Sequence, residues 1–241
     1  MGLSAVDLAV CLAAVAAGAA VQGAAGFGVN LVAVPIVAIV APPAVPGTLI
    51  LTSLPLSVGL VAREHHALDR RGATWMVLGI LPGTAAGTAV VATLSTDGLG
   101  AVIGAVIVAG AVLSATRGAF RVTDRSAFTA GVVSGLTGTA AAVGGPPLAL
   151  LYQHHPGPTV RATLNAVFVV STVLSIVALA AVGEMTVDQT VLAIELMPAL
   201  VVGMVGSRSL ARRVDAGRVR PVVIAVSGLA GLAALVHALV R

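Results

Sequence analysis

Residues 22–35 read QGAAGFGVNLVAVP: a Gln, clustered glycines, an Asn and a Pro set inside an otherwise apolar tract. The tract that holds them, 3–41, is too long for one membrane helix, because about 20 residues rising ~1.5 Å each cross a hydrocarbon core of ~30 Å. It reads as two short helices joined at a break. Residues 126–153 repeat the pattern, with the interruption at GLTGTAAAVGGPP, 135–147. A helix broken in lipid leaves backbone N–H and C=O groups unpaired, at several kcal/mol each, unless protein or a watery cavity satisfies them. The breaks are therefore where function is expected.

Of the 241 residues, 58% are hydrophobic and only 9% charged, and mean hydropathy is +1.08; ordinary globular domains carry about a quarter charged residues. The composition implies a polytopic, all-α transmembrane bundle. Aromatic content is 2%, so the spans must pack through small side chains. Beyond the two hairpins, spans are expected at 44–62, 72–93, 98–115, 159–182, 188–206 and 221–240. The N-terminal tract has Asp7 and no basic n-region, which reads as a first membrane helix and not a cleaved signal. Cys11, the single cysteine, excludes an internal disulfide and a multi-cysteine metal site.

The two halves share landmarks. Thr48 in PGTLILTS matches Thr163 in VRATLNAV, 115 residues apart, and Pro82 matches Pro198 at 116. Gly110 and Gly228 are 118 apart, and GFGVN corresponds to VGGPP. A duplication follows, with a first repeat over 1–117, a linker at 118–125 and a second repeat over 126–241. All thirteen basic residues are Arg. Eleven of them gather in the loops 63–71, 116–125 and 207–220, whereas the links 95–98 and 183–188 hold acids and no Arg. By the positive-inside bias the first three are cytoplasmic and the last two external. Loop 63–71 and its counterpart 183–188 then lie on opposite sides, so the repeats are inverted and both termini lie outside. Arg confined to short loops gives no basic face for nucleic acid.

Inverted repeats meeting at broken helices are the architecture of secondary transporters, with substrate at the breaks. Gly26 and Gly28 allow a ligand close to the backbone, and the freed amides of a helix N-terminus form an anion site without a formal cation. Gln22 and Asn30 flank that break; Gly144, Gly145 and Pro146 form the other. The alternative for these residues is close helix packing with amides bonded between helices. Thr48, Thr163 and Asn165 open the helix after each hairpin and offer neutral donors that bind an oxyanion and release it. For Thr52, Ser53, Ser171 and Thr172, bonding to a carbonyl in the preceding turn is expected. Arg161, apart from the dense loops, either attracts the anion or snorkels to the interface. Glu195 is an intramembrane carboxylate with proton coupling or an Arg partner as its readings. The pairs His65–His66 and His154–His155 lack an acidic or Cys set at ligand spacing, so no metal is expected. Gly79, Gly83 and Gly87 form a packing ladder on one helix face. No Walker motif, dinucleotide fingerprint or serine elbow is present, so no cofactor and no enzyme activity are expected.

The run GFG-x-N-LxxVP, the following GT…S span, a Trp in the next span, then GLTG…GGPPLALL and RATLN in the second half resemble the TauE/SafE family of membrane permeases. The resemblance covers about Gly18 to Leu239 and implies export or carriage of sulfite or a small organosulfur acid such as sulfoacetate. It places the pathway at Gly26, Gly28, Asn30, Gly144, Gly145, Pro146, Arg161 and Asn165. Where the family pattern has GxGGG this chain has GAAGFG, and GTL replaces GTS. Phe27 and its neighbours would narrow the first cavity and suit a C2 acid.

The reading is a plasma-membrane carrier, possible as a homodimer, moving a small sulfur-containing or C2 carboxylate or sulfonate anion by alternating access. Anion exit from a negative interior is favoured by ~2.3 kcal/mol per charge per 100 mV. A channel, or an intramembrane metal enzyme using the His pairs and Glu64, are the alternatives.

Overall fold

The computed structural model describes residues 3–115 and 121–214. The last expected span, 221–240, lies outside the described residues, as do parts of the 118–125 linker and of the 207–220 loop. The described chain folds as α1 (Ala5–Ala25), α2 (Val29–Val40), α3 (Gly47–Glu64), α4 (Arg70–Thr93), α5 (Thr96–Ala115), α6 (Asp124–Ala141), α7 (Gly145–Tyr152), α8 (Gly157–Ala181) and α9 (Val187–Val214). Both expected hairpins are present as α1–α2 and α6–α7. The protein is an all-helical polytopic membrane bundle. Among the described residues four helices are long and apolar enough to cross a bilayer: Ala5–Ala25, Arg70–Thr93, Gly157–Ala181 and the Val187–Ser207 part of α9. Apolar side chains such as Val177 (62% exposed) and Ile194 (64% exposed) point outward, as a lipid-facing surface requires.

The helices approach closely because small residues remove side-chain bulk. α4 lies on α6 with Gly79, Gly83 and Gly87 against the carbonyls of Phe128, Val132 and Leu136, while Gly131 and Gly135 meet Met76 and Ile80. The glycine ladder is the packing seam its spacing suggests. α1 lies on α9 in the same way, with Gly203 against the Ala16 carbonyl and Gly23 against Ser207. α3 packs against α8.

Side-chain bonds between helix ends fix directions. Thr48 at the start of α3 donates to the Gln189 carbonyl at the start of α9, 3.1 Å, and Gln189 Nε2 donates to the Pro43 carbonyl, 3.0 Å. At the other end Thr163 of α8 accepts the Asp69 N–H, 3.0 Å, at the start of α4, and Arg71 pairs bidentately with Asp124 of α6 at 2.9 Å. α3 and α8 therefore run in opposite directions, as do α4 and α9. The end that carries Arg63, Arg70, Arg71 and Arg125 is called below the Arg-bearing end.

Asp69 caps α4 there, accepting the Gly72 N–H at 3.0 Å and the Tyr152 hydroxyl at 2.6 Å. Burial pushes its carboxyl up, but the bonds from Tyr152, Gly72 and the Arg71 backbone, with the charge of His155, outweigh this and hold it below the usual Asp value.

Candidate anion site between two helix breaks

α2 is 12 residues long and α7 is 8. At ~1.5 Å per residue they reach about 18 Å and about 12 Å inward from opposite ends. Together those lengths match a hydrocarbon core of ~30 Å, so the two breaks meet at one depth.

The first break turns at Gly26 (φ 91°) and Gly28 (φ 117°), left-handed conformations open to glycine and costly elsewhere. It has a carbonyl end and an amide end. At the carbonyl end, Arg63 Nη2 donates to Gly23 O at 3.1 Å, Arg161 Nη1 to Ala24 O at 3.2 Å and Asn165 Nδ2 to Gly26 O at 3.0 Å. Orphan carbonyls and the negative pole of α1 thus receive two guanidiniums and an amide. The guanidiniums share one carboxylate: Arg161 Nε reaches both Glu64 oxygens at 3.0 and 2.9 Å, and Arg63 donates to Glu64 Oε1 at 3.0 and 3.2 Å. Arg161 is 9% exposed, so it does not snorkel to the interface.

At the amide end Gln22 Oε1 accepts the Val29 N–H at 3.2 Å, while its Nε2 donates to Asn165 Oδ1 at 2.9 Å and Ser57 Oγ at 3.3 Å. The amides of Asn30 and Leu31 are first-turn groups without an intrahelical acceptor.

The second break is held by lighter means. Ala142 takes the left-handed turn at φ 57°, the Val143 N–H returns to Thr137 O, and Ser134 Oγ donates to Gly144 O at 2.7 Å. α7 then begins Gly145, Pro146, Pro147, and the two prolines have no N–H to offer. Phe27 packs its ring against Gly145, where a Cβ would stand 3.1 Å away.

Between the breaks lies a cavity of about 60 Å³ lined by Gln22, Gly28, Val29, Asn30, Leu31, Ile50, Ser53, Ser57, Gly138, Ala142, Val143, Gly144, Gly145, Pro146, Phe168, Ser171, Thr172 and Ser175. At roughly 10–15 Å³ per water, it has room for a few waters or one small anion, far below the ~300 Å³ of a drug-sized pocket. Among the described residues no formally charged side chain lines it.

Of the expected site residues, Gln22, Gly28, Asn30, Gly144, Gly145 and Pro146 line this cavity. Asn165 and Gly26 do not line it: Asn165 bonds the lining Gln22 and the Gly26 carbonyl, and Arg161 bonds the nearby Ala24 carbonyl. Phe27 buttresses Gly145. Thr48 and Thr163 are fully buried and tie helix ends together, away from the cavity. Glu195 is exposed on the outer face of α9 beside Ile194.

Thr52 bonds the Thr48 carbonyl at 2.7 Å and Ser53 the Ile50 carbonyl at 2.9 Å, as expected of helical hydroxyls. Ser171 and Thr172 correct that expectation: among the described residues their hydroxyls have no hydrogen-bond partner, because the α8 face that carries them fronts the cavity. The sequence reading also missed Ser57, Ser175 and the role of Arg63 and Glu64. Their signal is helical spacing: Ser53, Ser57 and Glu64 fall on one stripe of α3, and Arg161, Asn165, Phe168, Thr172 and Ser175 on one stripe of α8. Among the described residues no three His, Cys, Asp or Glu side chains stand together as a metal site.

Compared with known protein families, residues 10–234 match the family described as Sulfite exporter TauE/SafE. The chain belongs to the TauE/SafE family. Membership implies a multi-pass membrane transporter of the sulfite-exporter type. No curated protein and no solved structure matches the chain.

Proposed function

We propose that this TauE/SafE protein is a secondary carrier of a small sulfur-containing or C2 carboxylate or sulfonate anion, bound between the two helix breaks and moved across the plasma membrane by alternating access. The observation that carries the reading is a cavity whose donors are neutral and unspent: the Asn30 and Leu31 amides and the Ser171 and Thr172 hydroxyls. Uncharged donors at the positive pole of α2 bind an oxyanion without holding it permanently. The cavity volume favours an anion of a few heavy atoms.

Opposed helix directions support two inverted repeats, 1–117 and 126–241, with the Arg-bearing end cytoplasmic and both termini outside. Two layers of side-chain bonds close the cavity toward that end, which favours a carrier over an open channel. Glu195, on the outer face, is not the coupling group in this scheme.

A thermal-shift panel of sulfite, thiosulfate, sulfoacetate, taurine, acetate and sulfate tests the site, since a ligand that binds only the folded state raises Tm. One small anion should shift Tm, and Ser171→Ala with Thr172→Val, which removes both cavity hydroxyls and leaves the backbone amides in place, should weaken or remove the shift. An undiminished shift in that double variant moves the site elsewhere. Steady current without counterflow of labelled anion in proteoliposomes overturns the carrier.

A further inference from the structure

Between the cavity and the Arg-bearing end stand two layers of polar contacts. The first is Gln22 with Asn165 on the Gly26 carbonyl; the second is Glu64 with Arg161 on the Ala24 carbonyl. Asn165 also donates to the Arg161 carbonyl at 2.8 Å, so both layers share one turn of α8. The side chains of Arg161 and Glu64 are 11% and 13% exposed, which makes the pair costly to leave half-made. Glu64 is the last residue of α3, Arg161 lies in the second turn of α8, and the Ala24 carbonyl ends α1. One carboxylate thus joins three elements that must separate if the cavity is to open there.

We propose that Glu64 is a positioning residue of the transport cycle, the carboxylate that holds Arg161 on α1 and so locks the cavity against the Arg-bearing end. The lock rests on the pathway proposed above. It also explains the chemistry of the two ends of the first break: the amide end is left for an anion, while the carbonyl end is occupied by cations that Glu64 neutralises and aims. Opening toward the Arg-bearing end breaks the Glu64–Arg161 contacts before it breaks the Gln22–Asn165 layer.

The test reads access to the cavity directly and needs no knowledge of the substrate. In a Cys11→Ala background, Ser171→Cys places one thiol in the cavity, and a membrane-impermeant thiol reagent is applied to either face of proteoliposomes. A second single-cysteine protein, His66→Cys, identifies the face that carries Glu64. Glu64→Gln should raise the labelling rate of the cavity thiol from that face about tenfold or more, equivalent to ~1.4 kcal/mol removed from the closed arrangement. Glu64→Asp, which keeps a carboxylate beside Arg161, should leave the rate closer to that of the parent protein than Glu64→Gln does, which a merely structural loss would not. An unchanged rate in a Glu64→Gln protein of unaltered Tm overturns the proposal. If Glu64→Gln does not fold, Arg161→Lys, which keeps the charge and loses the forked contact, should give a smaller rise, and no rise overturns it equally. Labelling is independent of transport, so a negative result here leaves the carrier standing, whereas the carrier fails on absent counterflow.

Discussion

The two helix breaks meet at one cavity and are built in opposite ways. The first spends two arginines, a Gln and an Asn on its carbonyls and its first amide, and leaves the Asn30 and Leu31 amides to the cavity. The second has no charged partner, closes with a Ser and a Thr, and puts prolines where further amides would stand. Its hairpin is fixed at the far end instead, where Tyr152 donates to Asp69. In the function proposed above, the difference assigns roles: the first break would bind the anion and be locked, and the second would supply the wall that Phe27 and Pro146 shape.

The largest effect should come from the backbone turn itself. Gly26→Val forces a β-branched residue into a left-handed conformation with its Cβ 3.1 Å from Arg161 Cα. Conformation alone costs about 1–2 kcal/mol and overpacking a further ~1–3, so the purified protein should lose its monodisperse peak. Retention of wild-type Tm would break the comparison at its root. Next, Arg161→Ala leaves the Ala24 carbonyl without its donor and Glu64 with Arg63 alone, and should cost about 3 kcal/mol. At about 2–4 °C per kcal/mol for a chain of this size, differential scanning fluorimetry resolves it easily.

Asn165→Ala should cost about 1–3 kcal/mol because the Gly26 carbonyl is then buried unpaired, against ~1 for Ser134→Ala at the second break. Equal losses would contradict the unequal roles of the breaks. A smaller, pH-dependent effect belongs to Asp69. Its folded carboxyl is held below the usual value, so the stability it contributes is present above about pH 4 and is lost as pH falls through the folded value. Tm measured across the acid range should fall less steeply in Asp69→Asn. The smallest effect is expected of Ala142→Gly, which relieves the left-handed alanine at φ 57° but loosens the unfolded chain, for a net change within ~1 kcal/mol.

How much of this was legible without coordinates depends on the range of the interaction involved. The breaks were readable because glycine and proline act locally, and α1–α2 and α6–α7 part within the GAAGFG and AAAVGGPP runs. The helices Arg70–Thr93 and Gly157–Ala181 lie close to the tracts read from length and hydropathy, which are local properties. The Glu64–Arg161 pair was not readable, because 97 positions separate the partners and each sits in a segment with plainer uses as a loop or interface charge. Ser171 and Thr172 were misjudged because a helical hydroxyl bonds its preceding turn unless a cavity faces it, and the facing element, the first break, lies far away in sequence. Glu195 drew attention by residue type, but its helix face, not its identity, decides what it touches.

The most direct test of the central claim is anomalous diffraction at the selenium edge from crystals grown with selenite, an isostere of sulfite. The account predicts a selenium peak between the two breaks, within hydrogen-bond distance of Asn30 and of Ser171 or Thr172. A map with no peak in that cavity and selenium held elsewhere on the protein would contradict it.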